Sequence, residues 1–223
     1  KRGITPADQS AVIPSQKRQG FSPLTHRERD DTLSLMVAQS NPKINTFKEK
    51  KMIHKTYIKD WPREEWLAER RKSLGGSDIG SALGLCKWRS PYAVWAEKTG
   101  LTPEEPDNEA MRQGRDLEEY VAERFSELTG KKVRRVNAIL RNDDFPHLHA
   151  NIDRDIVGED AGLECKTASA LNTSRFRGAE FPASYYTQCV TYLAVTGYKR
   201  WYLAVLVLGR EFKVYQVTTV PDD

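Results

Sequence analysis

Glu164 and Lys166 stand two residues apart in "GLECKTA", a segment that otherwise reads as a buried β-strand. Side chains at i and i+2 of a strand leave the same face, so a carboxylate and an ammonium project side by side. Asp153 belongs with them. It lies in "HLHANIDRDIV", the strand expected just before, and "GEDA" at 158–161 reads as the hairpin turn between the two. Facing each other across a ladder, Asp153 and Glu164 repel unless a cation sits between them. Lys166 can be that cation. A divalent metal does it better, since hard carboxylate oxygens suit Mg2+ or Mn2+. Carboxylates around such an ion, beside a lysine, are equipment for metal-assisted hydrolysis.

A further carboxylate comes from a predicted helix over 109–129. With Glu118 as the origin of a helical wheel, Met111, Gly114, Ala122 and Phe125 fall within roughly 40° of it. An acid in the middle of an apolar stripe is costly unless it is paired or metal-bound. Two readings stand for Glu118: a structural ion pair, Lys166 being one partner within reach, or a ligand of the same cation. Asp155 shares the predicted strand face of Asp153 and is a rival ligand.

These groups need a scaffold. Residues 1–58 are polar and lack periodicity, so they read as an extended, poorly ordered extension, with a short helix possible in "DDTLSLMVAQ" at 30–39. The enzyme-like part is 59–223. "WPREEWLAERRKSLGG" reads as a helix with Pro62 in its first turn and Gly75-Gly76 as its stop, and Ser77 as N-cap of a short helix "SDIGSALG". "SPYAVWAEKTG" is a third helix, and 109–129 a fourth, closed by Gly130. Strands are expected in "KKVRRVNAILRN", "HLHANIDRDIV" and "GLECKTA". A loop "SALNTSRFRG", a helix over 182–196 and a hairpin of "KRWYLAVLVL" with "EFKVYQVT" complete the chain. The order predicts an α/β fold with a mixed central sheet flanked by helices.

Composition bounds the partners. Residues 1–60 carry 12 Lys and Arg against 6 Asp and Glu, and the remainder 23 against 25, so the net charge of +4 comes from the N-terminal region. The clusters "RRK" at 70–72 and "KKVRR" at 131–135 are either solvated faces or contacts for nucleic acid. The longest apolar run, Trp201 to Leu208, is too short to span a bilayer. No secretion signal is expected. Cys86, Cys165 and Cys189 form no C-x-x-C pair, which points away from zinc and disulfides and toward the reducing cytoplasm. The four histidines lack ligand spacing, and His149 reads as structural.

Asp153, Glu164-x-Lys166 and a preceding helical Glu118 resemble the PD-(D/E)xK nuclease superfamily. Five blocks narrow it: "WLAERRKSLGGSDIGSALG", "GRDLEEYVAERFSELTG", "HANIDRDIV", "GLECKTA" and "YYTQCVTYLAVTG" resemble, in order, the YqaJ-like phage recombination exonucleases, the family of phage lambda exonuclease. The resemblance implies a restriction-endonuclease-like core over about Trp61 to Val217. It implies one or two Mg2+ or Mn2+ ions on Glu118, Asp153, Glu164 and the backbone carbonyl of Cys165, with Lys166 orienting or deprotonating the attacking water. It makes Arg70 and Ser77, in the pattern W-x3-R-x6-S from Trp66, a pocket for a 5′-terminal phosphate, and places Gln188 near the site. Alternatives remain open: Ser77 as a plain cap, Arg70 as a helix-end partner that Arg71 replaces, Gln188 as a satisfied core amide. Ile152 stands where the family usually has proline, and the chain stops where relatives often continue with a terminal helix. The implied activity is processive 5′→3′ degradation of linear double-stranded DNA ends, leaving 3′ single strands. Its implied setting is a homotrimeric ring feeding a single-strand annealing protein. The competing functions are another nuclease of the superfamily, such as an endonuclease, and a catalytically inactive DNA-end-binding module.

Overall fold

The computed structural model describes residues 53–103 and 106–219, and everything below lies in the unit Lys50–Asp223. Most of the predicted extension, including the helix expected at 30–39, lies outside the described residues. Residues 53–57, read as part of that extension, instead form strand β1 (Ile53–Tyr57). They pair antiparallel with β4 (Ala138–Asn142), from Ile53 opposite Asn142 to Tyr57 opposite Ala138. A short polar strand carries little periodic signal, and its partner is distant in the chain, Lys55 lying opposite Leu140, 85 residues on; the pairing is visible in three dimensions alone.

The helices follow their local signals. Helix α1 (Arg63–Arg71) opens after Pro62 with Glu64 and Glu65 in its first turn and closes on Arg70 and Arg71, charges that complement the helix dipole. Helix α3 (Pro91–Lys98) is capped by Ser90, whose Oγ accepts from Ala93 N at 3.1 Å. Helix α4 (Glu109–Thr129) starts at Asn108, whose Oδ1 accepts from Met111 N, and ends at Gly130 with φ 71°. Helix α5 (Ala183–Thr196) ends at left-handed Gly197. The predicted cap of α2 (Gly76–Ala82) is corrected. Gly75 is the N-cap, and Ser77 falls inside the first turn, because the Asp78 carboxylate already accepts the Gly75 N–H at 2.9 Å.

Two predicted strands break in two because their halves find different partners. "KKVRRVNAILRN" divides into β3 (Val133–Arg135), paired with β6 (Arg154–Ile156), and β4, paired with β1. "HLHANIDRDIV" divides into β5 (Leu148–His149), which runs parallel to β2 (Leu74–Gly75), and β6. The main sheet has five strands in the order β3-β6-β7-β8-β9, with β7 (Ala161–Ala168), β8 (Arg200–Val207) and β9 (Glu211–Thr218). β7 and β8 are parallel, joined across α5; the other neighbours are antiparallel. The expected loop 169–178 contains a 3-10 turn, Ala170–Arg175.

Each sheet face has its own core. Val121, Ala122 and Phe125 of α4 pack on Leu163, Tyr202 and Ala204. Cys189, Tyr192 and Leu193 of α5 pack with β4 residues on Trp201, Leu203 and Val205. Alternation along β7 therefore gives Leu163 and Cys165 to the α4 side, and Glu164 and Lys166 to the α5 side.

Candidate active site

Glu164 is 3% exposed and is held from both directions. Its Oε1 accepts from Lys166 Nζ at 2.5 Å and from Gln188 Nε2 at 2.6 Å. Gln188 sits on the α5 face turned to the sheet, and its Nε2 also lies 2.9 Å from the Tyr192 hydroxyl. Glu164 Oε2 is buried without a hydrogen-bond partner. A buried charged oxygen with no donor is costly. Here it is the open position of an otherwise saturated carboxylate.

Asp153 reaches the same place by leaving the strand. β6 and β7 share only Arg154 opposite Leu163 and Asp155 opposite Gly162. Asp153 lies in a bend just before, and its Oδ2 accepts from Cys165 N at 2.8 Å in place of a further ladder rung. Burial raises the Asp153 carboxyl well above the usual carboxylate range, and the Glu164 charge adds to the rise. Burial also raises Glu164, against the pull of Lys166. Burial would lower the Lys166 ammonium, but Glu164 and Asp153 override it and hold the group firmly protonated. Burial drives the Cys165 thiol up, so the sulfur is not a thiolate ligand.

Glu118 is ion-paired, with a partner the sequence did not indicate. Its Oε1 accepts from Arg154 Nη1 at 2.5 Å, with Arg135 Nη2 at 3.5 Å. Its side chain is 26% exposed, and Met111, on the same predicted stripe, is also exposed; the stripe faces the core only from Val121 onward. Among the described residues no three His, Cys, Asp or Glu side chains converge as a metal-holding group. The donors that fit a hard cation are Asp153 and the open oxygen of Glu164, and Mg2+ keeps several waters, so few protein ligands suffice. Asp155 is not at the site. It accepts from Arg134 Nη2 at 2.6 Å and from the Tyr198 hydroxyl at 2.7 Å, since the bend at 153 breaks the shared strand face.

Trp66, Arg70 and Ser77 do come together. The Arg70 guanidinium lies 4.5 Å over the Trp66 ring, and its Nη2 is 3.5 Å from Ser77 Oγ. The Arg70 Nε is buried without a partner. Next to Ser77 in the chain is buried Asp78, which the sequence did not single out. It pairs with Arg89 Nη1 at 2.8 Å and Lys98 Nζ at 2.7 Å, and is 2% exposed. Burial would raise this carboxyl, but Lys98 and Arg89 hold it down to about 2. His149 is structural: buried, 2.8 Å from Ser73 Oγ through Nδ1, and kept neutral by burial. A continuous line of contacts joins the two centres. A Cβ at Gly76 would lie 2.3 Å from the Tyr192 ring, and Tyr192 holds Gln188, which holds Glu164.

The chain thus has an α/β fold, a mixed five-stranded sheet between helices, with Glu164 and Lys166 on the α5 face of β7 and Asp153 beside them in the bend before β6. Within that class the YqaJ-like viral recombinase domain model matches residues 65–199, and the chain belongs to that family. The Bacillus subtilis (strain 168) protein YqaJ is 49% identical over 153 residues, covering 67% of this chain and 48% of that protein, so this chain spans about half its relative's length. Among solved structures, the alkaline exonuclease LHK-Exo from Laribacter hongkongensis matches with a TM-score of 0.57 at 18% identity, over 70% of this chain and 81% of that one. LHK-Exo in complex with dAMP matches with a TM-score of 0.58 at 20% identity, over 70% and 82%. No described helix is long and apolar enough to cross a membrane.

Proposed function

We propose that this chain is a Mg2+- or Mn2+-dependent exonuclease that hydrolyses linear double-stranded DNA from 5′ ends and leaves 3′ single strands for recombination. The observation that carries the reading is Glu164. It is buried, anchored through Oε1 by Lys166 and Gln188, and open at Oε2 beside Asp153. A divalent ion on Asp153, Glu164 Oε2 and the Cys165 carbonyl would supply Lewis-acid activation of water and neutralise phosphoryl charge. Lys166, ion-paired to Glu164, would orient the attacking water or take its proton. Gln188 fixes the Glu164 rotamer so that its second oxygen stays aimed at the site. Water attacks phosphorus in line, and the 3′ oxygen leaves.

Polarity rests on the Arg70–Ser77 pair. A guanidinium already stacked on Trp66 is preorganised to bind a terminal phosphate. LHK-Exo, which shares the fold, was solved with dAMP, a nucleotide carrying such a phosphate. A homotrimeric ring and an annealing protein that receives the 3′ strand belong to the same reading.

The test is degradation of end-labelled linear duplex with Mg2+, with and without a 5′ phosphate. Wild-type chain should prefer the phosphorylated end, Arg70→Ala should lose the preference, and Asp153→Asn should lose turnover. Cleavage of closed circles at the rate of linear duplex would overturn the exonuclease reading in favour of an endonuclease. DNA binding with no turnover of any substrate would make the chain an end-binding module.

A further inference from the structure

We propose that Arg154 is a resident counter-cation for Glu118, so that without DNA the site takes a single divalent ion, on Asp153 and Glu164, and Glu118 has no part in holding it. The inference rests on the proposed metal site and specifies its stoichiometry. Arg154 is 2% exposed, among the largest buried side chains described. A guanidinium is retained at such depth only with partners that saturate it. Its partners are specific. Nη1 donates to Glu118 Oε1 at 2.5 Å and to the backbone oxygen of Asp153 at 2.8 Å; Nη2 donates to Glu119 Oε2 at 3.0 Å. Arg135 Nη2 backs the same two acids, 3.0 Å from Glu119 and 3.5 Å from Glu118. On this side two carboxylates meet two guanidiniums, and the local charge cancels.

The other side differs. Lys166 is ion-paired to Glu164, the Asp153 carboxylate accepts from the Cys165 N–H and no guanidinium, and Glu164 Oε2 has no partner. A first dication therefore has one place to go. A second, placed at Glu118, would sit against a guanidinium already bonded to that carboxylate, and like-charge repulsion opposes it. The bond from Arg154 to the Asp153 carbonyl has a second effect. The same side chain that occupies Glu118 also pins the backbone of the ligand residue, making Arg154 a positioning residue for Asp153.

The experiment is Mn2+ titration of the full chain without DNA, read by the electron paramagnetic resonance of free Mn2+. Wild type should bind one ion per chain. Glu118→Gln should keep that stoichiometry with a dissociation constant within about twofold of wild type. Arg154→Gln should bind a second ion, or the first on the order of tenfold more tightly, because a neighbouring unit charge is gone. Arg154→Lys, which keeps the charge, should keep a single ion. Two ions on wild type, weakening by about tenfold in Glu118→Gln, or no change in Arg154→Gln would overturn the proposal. Should Arg154→Gln not fold, Glu118→Gln decides alone. Asp153→Asn separates the levels. Loss of all Mn2+ binding there, alongside a failed Glu118 result, condemns only the role of Arg154; full Mn2+ binding there removes the metal site and the nuclease reading with it.

Discussion

Replacing Gly76 with alanine probes the seam that joins the Arg70–Ser77 pair to the carboxylate centre. The new Cβ would lie 2.3 Å from Tyr192 Cε1, 2.8 Å from Cδ1 and 3.1 Å from Cζ. Carbon atoms rest at about 3.5–4.0 Å, so α2 or the ring must move by more than an ångström. The ring has little freedom. Tyr192 is 3% exposed, its centroid is 5.0 Å from that of Trp201, and its hydroxyl is engaged by Gln188. Overpacking of this kind costs about 1–3 kcal/mol. Alanine recovers at most about 1 kcal/mol through helix propensity, and less in a first turn. The net loss is about 1–2 kcal/mol, a fall in Tm of roughly 2–8 °C for a domain of this size. Thermal melts followed by circular dichroism measure it. Because the displaced ring carries Gln188 with it, the rate of DNA hydrolysis should fall by more than the folded fraction does. Tyr192→Leu makes room for the methyl group, so the double variant should be more stable than the sum of the two single losses. An unchanged or raised Tm in Gly76→Ala, or simple additivity with Tyr192→Leu, would refute the close-approach reasoning.

Three further outcomes follow from the geometry. The folded chain keeps His149 neutral down to about 3 by burial, with the Lys98 and Arg70 charges adding, against 6.5 when free. Between those values the unfolded chain binds a proton that the folded chain does not. Stability should thus fall as pH drops from 6.5 toward 3, by on the order of 5 kcal/mol in full; urea melts across that range should lose much of the slope in His149→Gln. Asp78→Ala leaves Arg89 with Glu97 and Lys98 with the Arg70 carbonyl in place of a buried carboxylate, and should cost about 3 kcal/mol in urea denaturation, with a weakened preference for 5′-phosphorylated ends. Asp153→Asn should abolish hydrolysis, whereas Asp155→Asn, which weakens its contacts to Arg134 and Tyr198, should lower Tm by a few degrees (about 1 kcal/mol) and retain turnover; the reverse pattern would exchange their roles.

Where the controlling interaction is local, the sequence was sufficient. Asn108 and Gly130 delimit α4 by a side-chain acceptor and a left-handed stop, and Ser90-Pro91 opens α3. Two-residue alternation put Glu164 and Lys166 on one face, and the amphipathic turn of α5 turned Gln188 inward to meet them. Trp66 and Arg70, one helical turn apart, stack as their spacing requires.

Where the outcome depends on which distant group arrives, the sequence was silent. Asp153 left its strand because the ladder to β7 ends at Arg154, and that bend separated it from Asp155. Glu118 met Arg154, because an inward-facing arginine on β6 lies under α4 once the sheet is assembled; an arginine two residues before buried Ile156 was the one available hint. The Asp78 hub with Arg89 and Lys98, and the pairing of β1 with β4, draw on segments with no periodic signal in common. Propensity and spacing act over a turn or a strand, so they determine which face a side chain takes. Partner choice among like charges is settled by burial and ladder register, which exist only after the layers have packed.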